Sequence, residues 1–153
     1  IVNQIIRAAD IAPTLLELCG ITPPASAEGV SLVDFLAGKP LPELVARFKT
    51  GLWLTPPPNI HPRHLVYPDI VELLCIPDKL SGTLAIKPEY RQQIERACDV
   101  AVCWQNWKLV RLALNPTPRY LLFDLATDPG CHQDVSDRFP EIVAELRVYL
   151  EGR

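Results

Sequence analysis

Proline is the feature that most limits what this chain can fold into: 16 of its 153 residues are proline, about twice the ~5% usual in proteins. A proline lacks an amide hydrogen and has a fixed φ, so it opens helices or sits in turns and extended loops. Five of the sixteen fall in the string TPPPNIHPRHLVYP, Thr55 to Pro68. That stretch is read as an ordered or semi-extended excursion rather than an element. The remaining composition supports a packed core. With 48% hydrophobic residues and a net charge of −3, the chain is too apolar and too nearly neutral for intrinsic disorder. A chain of this length buries about 70% of its unfolded surface. Its scattered charges offer no basic face to nucleic acid, and its apolar runs fall short of the roughly 18–20 residues of a membrane span.

Short elements with marked ends can be placed along the chain. The polar residues Asn3, Arg7, Asp10, Thr14 and Glu17 trace one narrow stripe on a helical surface. A helix starting at Asp10 as N-cap puts Pro13 in the first turn, where amide hydrogens have no partners anyway. Ala12, Leu15, Leu16 and Cys19 then form the expected buried face, and Gly20 ends the helix in a left-handed conformation. So wide an apolar arc needs cover on most sides. Ser31 caps a short helical turn through Leu36, ended by Gly38. Residues 44–54 suit a strand, and 71–76 are too few to assign. Pro88 fits the first position of a helix whose face is Tyr90, Ile94 and Ala97. Two strands, 100–104 and 107–112, flank Gln105-Asn106, with Asn106 expected to supply the positive φ of a tight turn. A third strand covers 120–125. Asp128-Pro129-Gly130 makes a turn in which the carboxylate accepts an N–H two residues on. Pro140 opens a last helix with Ile142, Val143, Leu146 and Leu150 on one face. The fold class expected is α+β: a small antiparallel sheet packed by a C-terminal helix.

Five cysteines, Cys19, Cys75, Cys98, Cys103 and Cys131, show no CxxC spacing that would suggest zinc or redox chemistry. Cys98 and Cys103 read as small buried hydrophobes. Odd, scattered cysteines favour a reducing compartment, cytoplasmic over periplasmic. Other chemistry-bearing groups have bland explanations that weigh more. His61, His64 and Asp69 could ligate a metal, but a proline-locked segment with no helix favours exposed loop histidines. His132 beside Cys131 and Asp134 is better explained by the Asp-Pro turn than as a nucleophile pair. Trp104 and Trp107 read as hairpin and core packing, and Lys108 as a snorkelling edge charge.

Two groups of strings carry a resemblance. The first is Asp10-Ile11-Ala12-Pro13-Thr14-Leu15-Leu16-Glu17-Leu18-Cys19-Gly20-Ile21, then Gly29-Val30-Ser31-Leu32 and Leu36-Ala37-Gly38-Lys39. The second is Trp107-Lys108-Leu109-Val110, Leu122-Phe123-Asp124-Leu125, Asp128-Pro129-Gly130 and Phe139-Pro140-Glu141-Ile142-Val143. In order and spacing they resemble the C-terminal part of the sulfatases, within the alkaline-phosphatase-like superfamily. Cys131, Asp134 and Val135 depart from the family's usual acidic residue and Asn-Leu after the Asp-Pro turn. The resemblance implies a chain cut from a longer polypeptide, consistent with the absence of methionine and an opening Ile1-Val2-Asn3-Gln4. Residues 1–40 would be the tail of the large α/β sulfatase domain, and 41–153 a C-terminal α+β subdomain carrying the excursion at 55–68.

In sulfatases the formylglycine made from a C/S-x-P-x-R motif, the calcium ligands and the sulfate-binding Lys and His residues lie upstream of this region. The resemblance therefore implies no catalytic or metal-binding residue in this chain, calcium and formylglycine only in the parent, and the missing N-terminal domain as partner. Cys75-Ile76-Pro77-Asp78-Lys79 contains C-x-P but ends in Lys79, and an ammonium does not replace a bidentate guanidinium at an oxyanion. It reads as a strand-to-loop corner. His61, Arg63 and His64, cation-capable side chains on a stiffened loop, are the candidates for contact with an anionic sulfate-ester substrate. Two alternatives stay open: a stand-alone α+β interaction module, and a fragment of a phosphodiesterase or phosphonate hydrolase of the same superfamily.

Overall fold

Residues 4–53 and 57–152 are described by a computed structural model; Leu54, Thr55 and Pro56, where the expected strand ends and the proline-rich string begins, lie outside them, as does Asn3. In chain order the elements are a 3₁₀ turn Ala8–Asp10, α1 (Ile11–Leu18), α2 (Val33–Leu36), β1 (Ala46–Lys49), α3 (Ile70–Leu73), β2 (Leu74–Cys75), β3 (Ala85–Ile86), α4 (Pro88–Ala97), β4 (Val100–Trp104), β5 (Trp107–Leu112), β6 (Arg119–Asp124) and α5 (Pro140–Glu151).

The fold is α+β, as expected, with its core between a four-stranded antiparallel sheet of order β1-β4-β5-β6 and helix α5. Side chains alternate between the two faces of a strand, so Val102, Leu109 and Leu122, paired across β4, β5 and β6, stand in a row on one face. All three are fully buried. Leu146 and Leu150 of α5 cover that row, with Val100 and Val135 completing the cluster. Trp104 and Trp107 face each other at the hairpin end. They pack on Tyr149 and Phe139, at ring separations of 6.0 and 5.1 Å. Both tryptophans thus serve the hairpin and core.

Several local expectations are corrected by hydrogen bonds that sequence spacing does not reveal. In the β4–β5 turn Gln105, not Asn106, has the positive φ, at 51°. The Asn106 carbonyl accepts the Leu125 N–H at 2.7 Å, which takes Leu125 out of β6 and orients the turn. Asp128 accepts the amides of His132 and Gln133 at 2.7 and 2.8 Å, rather than the N–H two residues on. Lys108 lies on β5, an inner strand of the sheet, so it is not an edge charge. The strand expected over 44–54 pairs only at Ala46–Lys49, opposite Cys103 to Val100. From there Arg47 donates to the carbonyls of Leu150, at 2.6 Å, and Gly152, placing a cation at the negative end of α5. The outer edge of β6 is covered as well: Leu122 accepts from the Val135 N–H and donates to Asp134 Oδ1.

The largest correction concerns α1. Asp10 and Thr14, members of the polar stripe, are buried, while Ile11, Leu15 and Leu18 are 56%, 57% and 60% exposed. Asp10 makes no side-chain cap to α1. Its carboxylate accepts from the Arg7 guanidinium (2.7 Å), the Arg7 amide (2.9 Å) and the Val30 amide (2.9 Å). Thr14 Oγ1 donates to the Asp10 carbonyl and accepts the Leu32 amide at 3.0 Å. The polar stripe therefore clasps the returning segment, and the apolar arc points outward. The clasp brings Gly29 so close that a Cβ there would sit 1.9 Å from the Ala9 carbonyl oxygen. Gly20, at φ 73°, ends α1 as expected: its amide bonds Glu17 and the Ile21 amide bonds Leu16, the Schellman pattern.

Between these parts, Asp69 caps α3 through the amides of Val71 and Glu72, and β2 pairs with β3. Pro88 does open α4, which buries Ile94 and Ala97.

Candidate functional site

The loop that precedes α3 holds the three cation-capable side chains named from sequence, and the structure separates them. His61 is half-buried and its Nδ1 accepts the Arg63 amide at 3.1 Å. Arg63 is exposed and lines an open groove of about 470 Å³ with Thr117, Arg119, Tyr120, Ser136 and Asp137. His64 turns the other way. It is only 8% exposed, with Nε2 2.9 Å from Asp99 Oδ1 and Nδ1 2.7 Å from the Leu65 carbonyl. The expectation that His64 projects from the loop as an exposed histidine is thereby corrected. An intermediate-sized polar ring is buried readily once both its nitrogens have partners.

Asp99 is the residue that sequence reasoning missed. It follows α4 and precedes β4, and its Oδ1 takes both His64 Nε2 and the Ala113 amide, the latter at 2.8 Å. Its one signal was a single carboxylate inside the apolar run Ala97-Cys98-Asp99-Val100-Ala101-Val102. The groove at Arg63 is electrically mixed. Arg119 lies 3.4 Å from Asp134. Burial works to raise the Asp134 carboxyl, but the Ser136, Leu122 and Arg119 donors outweigh it and lower its pKa below 3.8. The group therefore stays ionised at neutral pH.

The other constellations stay apart. Cys75 ends β2, with its Sγ 3.6 Å from the Ala85 carbonyl, so the C-x-P string is a hairpin corner. Cys98 is buried and Cys103 half-buried. Burial raises the Cys103 thiol, partly offset by Lys108, which keeps it a thiol. Among the described residues no three His, Cys, Asp or Glu side chains come together as a metal site, and no helix is long and apolar enough to cross a membrane.

The described residues thus form an antiparallel sheet packed by a terminal helix, preceded by a clasped helix with an outward apolar arc. In fold, solved structures bear out the resemblance to sulfatases. A sulfatase of Bacteroides thetaiotaomicron superposes with a TM-score of 0.53 at 21% identity, over 93% of this chain and 23% of its own. An enzyme solved with its substrate D-glucosamine-2-N,6-O-disulfate gives 0.55 at 18%, over 93% and 22%. The phosphonate monoester hydrolase of Agrobacterium radiobacter gives 0.55 at 22%, over 96% and 25%. The chain thus shares its fold with one part of these proteins and spans about a quarter of their length. No protein-family model matches it, and no curated protein matches it in sequence.

Proposed function

We propose that this chain is the C-terminal portion of a sulfatase-like hydrolase, where it contributes packing and one wall of the substrate cleft rather than the reacting groups. The observation that carries this reading is the fold match over 93% of the chain to only 23% of a sulfatase. The outward arc of Ile11, Leu15 and Leu18 supports it, because so much adjacent exposed apolar surface calls for a covering partner. The missing N-terminal domain is that partner, and the parent reaction is hydrolysis of an anionic sulfate ester. Calcium and formylglycine do not fit the residues here. No described cluster suits a cation, and Cys75 is fixed in a hairpin. Both belong to the parent's other segments. A phosphonate ester as the parent's substrate is the second reading, favoured by the likeness to a phosphonate monoester hydrolase.

The purified chain should leave p-nitrophenyl sulfate and phenyl phosphonate esters untouched, with or without calcium. In the intact parent, Arg63→Ala should raise KM with little change in kcat, the pattern of a contact made equally in ground and transition states. An Arg63/His61 double variant with unchanged kinetics would remove the loop from the cleft. Turnover by the chain alone, or an upstream reading frame without a C/S-x-P-x-R motif, would overturn the sulfatase reading.

A further inference from the structure

Lys108 stands on β5, an inner strand with no edge for its side chain to reach past. Alternation along the strands puts it on the face opposite α5. There the register lines up Phe48 with Ala101 and Val110, and Ala46 with Cys103 and Lys108. Along this face β4 offers only the small side chains Ala101 and Cys103. Phe48 of β1 rises on one side of them, Val110 and Lys108 of β5 on the other. The result is an open trough of about 420 Å³, two strand spacings or about 10 Å across. Small-molecule sites fall in the same range of size, ~300–1,000 Å³.

The floor of the trough is apolar and its ends are charged. Lys108 closes the end nearer the hairpin turn; Lys49, Thr50 and Asp99 line the other. Asp99 is already engaged, its Oδ1 taking His64 Nε2 and the Ala113 amide. Lys108 is half-buried, and among the described residues no ion pair includes it. An ammonium set among apolar side chains gives up part of its water and recovers the loss only from an acceptor. Its charge is felt along the floor, where it offsets part of the rise that burial causes in the Cys103 thiol. Two ammonium groups against one carboxylate leave the trough with a surplus of one positive charge. Phe48, 53% exposed, offers its ring to an aromatic guest.

We propose that the trough binds a flat aromatic monoanion, its rings laid along β4 between Phe48 and Val110 and its carboxylate on the Lys108 ammonium. Charge complementarity selects the anion, since Lys108 has three donors and no acidic partner here. Shape selects the flat ring. A channel one strand wide, floored by Ala101 and Cys103, takes a rigid plane without the ordering cost of a flexible chain. Such binding is independent of the hydrolase reading, because this chain alone carries the trough.

The test is an NMR titration of this chain with a naphthoate, and with naphthylmethanol as a neutral probe of the same shape. Naphthoate should shift the methyl signals of Ala101 and Val110 along one saturable curve, while Leu109 and Leu122, under α5, stay in place. The alcohol should bind about tenfold more weakly, the worth of one hydrogen bond to a charged group. Lys108→Met should bring naphthoate down to the affinity of the alcohol and leave that of the alcohol unchanged, and Lys108→Arg should keep the preference for the anion. Equal affinities for the two probes, a Lys108→Met chain that still prefers the anion, or shifts confined to Ile11, Leu15 and Leu18 would overturn the proposal, as would no binding of either probe. Comparing the two probes needs no variant, so a misfolded Lys108→Met leaves the result decisive.

Discussion

Asp10 holds three donors with one carboxylate: the Arg7 guanidinium, the Arg7 amide and the Val30 amide. Burial works to raise its carboxyl, and these donors together outweigh it, so the net displacement is downward from 3.8. A carboxyl depressed by folding contributes stability that is complete above its unfolded value and is lost as pH falls through the lower folded value. The clasp of residues 7–32 should therefore open in acid, below about pH 4, well before the sheet does. Asp10→Asn should abolish that acid step and cost about 1–3 kcal/mol at neutral pH, read by urea melts and by exchange at the Val30 amide. An acid midpoint unmoved by the substitution would count against the clasp. The D-x-x-P-T-L-L string was legible as a helix start, but its facing was not. Periodicity sorts residues into faces; it does not say which face meets the rest of the chain. Asp10 and Thr14 turn inward because their partners, the Val30 and Leu32 amides, lie some twenty residues further on.

At the level of elements, the stretch from Val100 to Leu150 was the most legible, because each strand and helix there has a mark at its ends: Gln105-Asn106, the Asp128 turn, Pro140. Leu146→Ala should cost about 2–5 kcal/mol in denaturant melts, since that side chain is fully buried against Val102, Leu109 and Leu122; a loss below about 0.5 kcal/mol, the scale of surface changes, would sink the packing. β1 was over-extended in the sequence reading because a run of strand-forming residues does not show where its partner stops, and β4 supplies partners only from Val100 to Cys103. Arg47 was not singled out at all. Its guanidinium reaches the Leu150 and Gly152 carbonyls, a bond between residues far apart in sequence. Arg47→Ala should loosen the last turn of α5 by about 0.5–2 kcal/mol, visible as faster exchange at Tyr149 and Leu150 with the N-terminal turns of α5 unchanged. The histidine loop was legible in composition and not in direction, since Asp99, which turns His64 inward, lies 35 residues away.

For the whole molecule, the exposed arc of α1 is the feature with the widest reach. Ile11, Leu15 and Leu18 leave more than half of their surface uncovered, so the chain on its own should self-associate as its concentration rises. Leu15→Lys with Leu18→Glu should make it monomeric by sedimentation while leaving the melting temperature within a few degrees, because neither side chain supports the core; a large drop in that temperature would place them in the core after all. The sheet carries a different consequence, one of timing. β4, β5, β6 and α5 are neighbours in sequence and make mostly short-range pairings, whereas Ala46 meets Cys103 and Lys49 meets Val100. Loops that long are slow to close. A ribosome would have released β1 well before its partner existed, leaving a short strand bearing Arg47 and Lys49, charges that discourage pairing with strangers. The hairpins of residues 100–124 with α5 should then form the folding nucleus, and β1 should dock last. Substitutions at Val102 or Leu109 should slow folding, and those at Ala46 should chiefly speed unfolding, so the last strand to join would also be the first to leave.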